Sequence, residues 1–197
     1  GVNGVYPTTS AFYFDQTRRY SGYAQEHTLF AEGKDLSAYA GKQGYALTVE
    51  KDFDAGLRFC ADATPEDGQS AQKVHIAFIG SDSGKCTDLV YDEGTGMYTA
   101  AQQFSTGNGV YQADYVDGND DKSLCFSNIL AITAETRVLD DSGRLQVDLI
   151  GQGSGFFACG GKYEEISWER SSAEEPFRYF RADGSELQLS AGHTYIG

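Results

Sequence analysis

The chain predicts a β-rich α+β fold, built from antiparallel hairpins with a small helical layer. Three observations carry this. Short apolar and aromatic runs alternate with Gly-Gly, Asp-Gly and Ala-Gly pairs, most clearly from residue 151 to 197. The composition, with 24 Gly, 13 Tyr and 12 Phe against 1 Met, favours strands and turns over long helices. Only one segment has a helical period, Lys34 to Gln43, where Leu36, Tyr39 and Ala40 share a face and Gly44 is placed to stop it.

In chain order, residues 1–10 read as an irregular entry. Phe12 to Phe14 suggests a strand, Arg18-Arg19 a polar pair, and Ser21-Gly22 a turn. Beyond the helix, strands are expected at Ala46–Val49, Leu57–Cys60 and Lys73–Ile79. In the last of these Val74, Ile76 and Phe78 face one way and His75 the other. Glu93-Gly94-Thr95-Gly96 reads as a hairpin loop between Thr87–Tyr91 and Gly96–Phe104, with a further short strand at Gln112–Val116. Leu124–Val138 reads as one bent strand or two. Asp141-Ser142-Gly143 turns the chain into Leu145–Leu149, whose alternation is clean. In the last stretch, Gly160-Gly161 and Asp183-Gly184 are expected as two-residue turns. Ile166 with Trp168, Phe177 with Tyr179, and Leu187 with Leu189 are expected on shared core faces.

Charge narrows the partners. A net charge of −14 repels phosphate backbones, which excludes nucleic acid, and it disfavours docking on anionic lipid through a basic patch. The chain has no apolar run of the roughly 20 residues that span a bilayer. Cys60, Cys86, Cys125 and Cys159 form no C-x-x-C pair, and His27, His75 and His193 do not complete a zinc-finger spacing, so no metal or other cofactor is expected. Three disulfide pairings are open to these cysteines, as is the reading of buried free thiols.

Three constellations resemble chemical sites, and none yields a catalytic residue. Asp117, Asn119 and Asp121 match the first ligands of a calcium loop, yet Lys122 stands where glycine is required and Asn128 where the bidentate glutamate belongs. A solvated acidic turn is the reading preferred. Ser154 between two glycines lacks the full nucleophile elbow, and Cys159 with His193 lacks a helix N-terminus to hold a thiolate. The candidate binding group is N-terminal: Asp15, Arg18, Arg19 and His27, with Glu26 beside them. Arginine forks bind carboxylates and phosphates, and histidine moves protons near neutral pH. The competing reading makes these residues local ion pairs, with His27 anchoring the chain before the helix.

Gly153-Ser154-Gly155 before two aromatics, Gly161-Lys162-Tyr163, Ile166-Ser167-Trp168, Arg178-Tyr179, Asp183-Gly184 and Leu189-Ser190-Ala191-Gly192 with Thr194 occur here in order. Together they resemble the end of the YerB-like lipoprotein family, bacterial cell-envelope proteins of unassigned function. The likeness runs back through Asn128-Ile129 and Tyr91-Asp92 to Phe12–Tyr45, where Glu26 and Thr28 depart from the family's usual proline and asparagine. The resemblance implies a layered sheet arrangement. It implies the tail of a first domain over residues 1–45 and a β-rich C-terminal domain over 46–197. It also implies an exported module at the extracellular face of the membrane, lipid-anchored upstream, that binds or scaffolds a cell-wall polymer or an envelope protein. The alternative is an enzyme acting on a wall polymer through His27, Arg18 and Arg19.

Overall fold

The computed structural model describes residues 11–78, 84–106 and 109–197. It divides into two compact units, residues 1–53 and 54–197. The expected entry at residues 1–10 and the end of the Lys73–Ile79 strand lie outside the described residues.

In the first unit, β1 (Phe12–Phe14) pairs antiparallel with β2 (Leu29–Ala31), and Tyr13 stacks on Phe30. Between them lies α1 (Gln16–Tyr20), a short helix that the sequence does not announce because five residues carry no apolar period. Its signal is the cap: Asp15 Oδ1 accepts from the N–H of Thr17 at 2.9 Å and of Arg18 at 3.3 Å. A 3-10 turn, Gln25–Thr28, leads into β2. The expected helix is α2 (Gly33–Lys42), whose Leu36, Tyr39 and Ala40 are half-buried. It closes as a Schellman motif: Tyr45 N–H donates to Ala40 C=O, Gly44 N–H donates to Gly41 C=O, and Gly44 sits at φ +75°. The strand expected at Ala46–Val49 does not form. Leu47 and Val49 are exposed there, since alternation without a partner strand has nothing to bury.

The second unit is all strand and loop among the described residues. In order come β3 (Arg58–Cys60), β4 (Gln69–Ser70), β5 (Lys73–Ala77), β6 (Cys86–Asp92), β7 (Met97–Thr106), β8 (Gly109–Asp114) and β9 (Cys125–Phe126). There follow β10 (Asn128–Ile132), β11 (Thr136–Val138), β12 (Leu145–Val147), β13 (Gly151–Cys159) and β14 (Lys162–Arg170). The last three are β15 (Arg178–Arg181), β16 (Gln188–Ser190) and β17 (Thr194–Ile196). The central sheet runs β15-β14-β13-β10-β17 and a second runs β5-β6-β7-β8, while β11-β12 and β3-β16 are two-stranded. Pairing is mostly antiparallel, with β10–β17 and β3–β16 the parallel exceptions among the described strands.

The turns do what their residues dictate. Cys159 faces Lys162 in the register, so Gly160-Gly161 is a two-residue hairpin turn with φ +58° and +73°. Asp183-Gly184 differs from expectation. Arg181 N–H donates to Ser185 C=O and Gly184 N–H to Arg181 C=O, so the loop is the three residues 182–184 with Gly184 left-handed.

Period two then sorts the core. Leu130, Phe157, Ile166, Trp168 and Tyr179 share one face of the central sheet and pack with Leu187, Leu189 and Ala63. Ile129, Ala131 and Ala158 share the other face and pack against Val74, Ile76, Leu89 and Tyr98 of the second sheet. The central sheet is therefore covered on both faces at β10 and the second half of β13, while Glu165, Ser167 and Glu169 of β14 stay exposed. Helices are confined to residues 16–42 among those described, and neither α1 nor α2 has a buried residue. No described helix is long and apolar enough to cross a membrane.

Candidate functional site

The N-terminal group is only partly assembled. Asp15 spends one oxygen on capping α1, and its other lies 3.8 Å from Arg18 Nε. Arg18 lays its guanidinium over Phe30 at 4.9 Å and Tyr23 at 5.8 Å, a cation–π arrangement. Arg19 and His27 are exposed, and none of the four residues lines a cleft described below.

The other constellations resolve into structure. Asp117 and Asp120 direct carboxylate oxygens at the N–H groups of Asn119 and Lys122, so the acidic loop is a turn satisfying its own backbone. No cluster of three or more metal-ligating side chains occurs among the described residues. No disulfide joins the four cysteines. Cys159 is buried with its Sγ 3.2 Å from Ser190 Oγ, while His193 is exposed, so the two are not paired. His75 lies on the outer face of β5 as expected, with Nδ1 2.7 Å from Asp88 Oδ1. Lys73 and Gln112 reach the same carboxylate. Partial burial works against the charge on Asp88, but these bonds outweigh it and hold the carboxyl below its ordinary range.

Two polar assemblies escaped the sequence reading. Asn128 is fully buried; its Nδ2 donates to Ser190 C=O at 2.8 Å and to Thr194 Oγ1 at 3.2 Å, and its Oδ1 accepts from Ser190 N–H at 2.9 Å. Asp54 and Glu186 close a ring with Arg58 and Arg178, at 2.7 to 3.3 Å. The bond from Arg58 is the main reason the Asp54 carboxyl lies far below the usual range.

The concave feature with the best claim to bind is a cleft of about 760 Å³ beside the first half of β13. It is lined by Thr133–Glu135, the β12 end with Gln146 and Asp148, Gly151–Ser154, Trp168 and Arg170. The cleft exists because β10 pairs only with Gly155–Cys159, leaving the start of β13 uncovered where the β11-β12 hairpin departs. Asp148 N–H donates to Glu135 C=O at 2.9 Å and pins the hairpin's base. Arg137 and Gln146 both reach the Asp148 carboxylate. Trp168 is 2% exposed and donates from Nε1 to Thr133 C=O at 3.0 Å, so it contributes an edge, not a ring face. Ser154 borders the cleft on a strand, with no strand-to-helix elbow.

A strand-rich, mostly antiparallel domain with an open cleft at an uncovered strand edge is the class of protein these features define. The C-terminal domain of a protein family of unknown function, DUF3048, matches residues 74–196, and the chain belongs to that family. Its fold is similar to that of the crystal structure of YerB from Bacillus subtilis, with a TM-score of 0.70 at 20% identity. That likeness covers 95% of this chain and 56% of the YerB chain, so this chain spans little more than half its relative. No curated protein matches it in sequence.

Proposed function

We propose that this chain is an exported binding or scaffolding module of the bacterial cell envelope. It is held at the extracellular face of the membrane through a lipid anchor outside the chain, and it takes a wall polymer or an envelope protein as partner. The chain as a whole is read as α+β, its helical part being residues 16–42. The observation that carries the binding role is the open cleft beside β13, about 760 Å³ and polar-walled by Glu135, Gln146, Asp148 and Gln152. The location rests on the motifs shared with the YerB-like lipoproteins and on the strongly acidic charge of −14, which suits neither nucleic acid nor bare anionic lipid. Two measurements test the two parts. Cells expressing the native full-length protein are fractionated and probed for lipid label and surface accessibility, with a labelled surface-exposed species expected. Purified protein is then co-sedimented with insoluble wall sacculi and with solubilised envelope proteins. A cytosolic, unlipidated protein rejects the location, and a protein retained by neither partner rejects the binding role.

A further inference from the structure

We propose that the cleft binds an extended peptide segment by strand addition at Gln152, with basic side chains of the peptide directed to Glu135 and Glu169. This deepens the binding reading above and rests on it.

β10 stops short of the start of β13. Its register pairs Asn128–Ile132 with Gly155–Cys159, and Thr133 N–H adds one more bond, to Ser154 C=O at 2.8 Å. There the line ends. Thr133 C=O accepts the Trp168 indole N–H, and Ala134 and Glu135 leave for the β11-β12 hairpin. Backbone groups two residues apart on a strand point to the same side. The N–H and C=O of Gln152 therefore point as those of Ser154 do, away from β14 and into the space β10 has vacated. No described strand pairs with Gln152 on that side. An uncovered strand edge of this kind is a template for another chain.

Access and charge say what kind of chain. Gln152 borders the main cleft and two others, of about 510 and 350 Å³, so the edge is open from both faces of the sheet. The nearby cations are engaged within the protein. Arg170 donates to the carbonyls of Ala173 and Glu175 and lies over Phe177, and Arg137 pairs with Asp148. Glu135 and Glu169 line these clefts with no ion pair among the described residues, which leaves the site acidic. A strand laid along this edge turns successive side chains to opposite faces, so basic residues at neighbouring positions meet Glu135 on one face and Glu169 on the other. A glycan fits less well. Sugar rings seek exposed aromatic faces, and the tryptophan here is buried.

The test titrates nitrogen-15-labelled protein with acetyl-Val-Lys-Lys-Lys-Val-amide. The largest amide shifts are expected at residues 151–153, and the Gln152 N–H, freely exchanging alone, gains protection. The same peptide N-methylated on alternate backbone nitrogens should bind at least about tenfold more weakly, because each lost backbone bond counts. Gln152→Pro, which deletes the donor, should abolish binding, with circular dichroism confirming the fold. Equal binding of both peptides, shifts mapping elsewhere, or shifts at Gln152 caused by wall oligosaccharides alone overturn the proposal. If the peptide fails while sacculi still retain the protein, strand addition is wrong and the binding module stands. If neither binds, both fall.

Discussion

Gly153 and Trp168 compete for one volume: a Cβ on Gly153 would lie 2.5 Å from the indole nitrogen of Trp168 and 2.8 Å from Thr133 C=O. The two residues are directly opposite in the β13–β14 register, so the absent side chain is what lets the indole lie across the strand. Gly155 serves the same face, where a Cβ would lie 2.3 Å from Ala131 C=O. The glycines around Ser154 are thus packing residues, and the resemblance to a nucleophile turn is incidental.

Gly153→Ala is therefore expected to cost about 1–3 kcal/mol through overpacking, and Trp168→Ala about 3–5 kcal/mol through cavity formation. The two positions should be coupled. In a Trp168→Phe background the indole is gone, and Gly153→Ala should cost clearly less than in the native protein. Urea midpoints of the four variants measure this, and additive losses would contradict the shared volume. The Trp168 emission should be blue-shifted and poorly quenched by iodide.

Asn128 is the second lever. It holds both backbone groups of Ser190 from 62 residues away, fully buried. Asn128→Ala leaves that N–H and C=O without partners and should cost about 2–4 kcal/mol. Asn128→Asp sets a carboxyl against a carbonyl, and only the protonated acid can donate to it. The folded-state pKa is then raised above the ordinary carboxylate value of about 4. The variant should be least destabilised below pH 4 and lose stability as the pH rises above it. A urea series from pH 3 to 7 reads this directly, and a flat profile would place the side chain outside the clamp.

Native titration works in both directions. Asp54 and Asp88 are held below the ordinary range, so their contribution is present at neutral pH and lost as the pH falls from about 4 toward their folded values. Asp54→Asn should flatten this acid limb. At the other end, burial pushes the Tyr98 phenol up to about 12 and raises Tyr179 and Tyr195. The unfolded chain ionises these first, so stability should fall as the pH rises above about 10. Phenolate absorbance lagging behind that of free tyrosine, together with the two limbs in urea midpoint, would confirm the assignment.

How much of this was legible depended on sequence distance. The Gly160-Gly161 turn, the Ile166 and Trp168 face and the Leu187 and Leu189 face follow from local turn chemistry and period two, and all three appear. The parallel β3–β16 ladder joins segments about 130 residues apart, and the Asp54–Arg178 pair spans 124, so no local pattern announces them. The cleft is harder still. Gly153-Ser154-Gly155 was visible, but that the edge beside it is uncovered depends on where another strand ends. Helix α1 was missed because its evidence is a single capping side chain, Asp15.

That cap also ties together the N-terminal group. Asp15 accepts two N–H bonds at the start of α1, and its own N–H donates to Thr28 C=O at 2.8 Å. Asp15→Ala should therefore loosen residues 11–31 by about 0.5–2 kcal/mol, while Asp15→Asn, itself a good cap, should lose far less. His27 is exposed, and its N–H bond to Ala24 C=O is a backbone bond that alanine keeps. His27→Ala should change stability by less than about 0.5 kcal/mol. Hydrogen exchange followed by mass spectrometry over residues 11–31 separates the outcomes, because it reports this segment without relying on global unfolding. Faster exchange in Asp15→Ala alone assigns Asp15 to the cap. Equal loosening in His27→Ala would make the imidazole an anchor of the turn, which its exposure argues against.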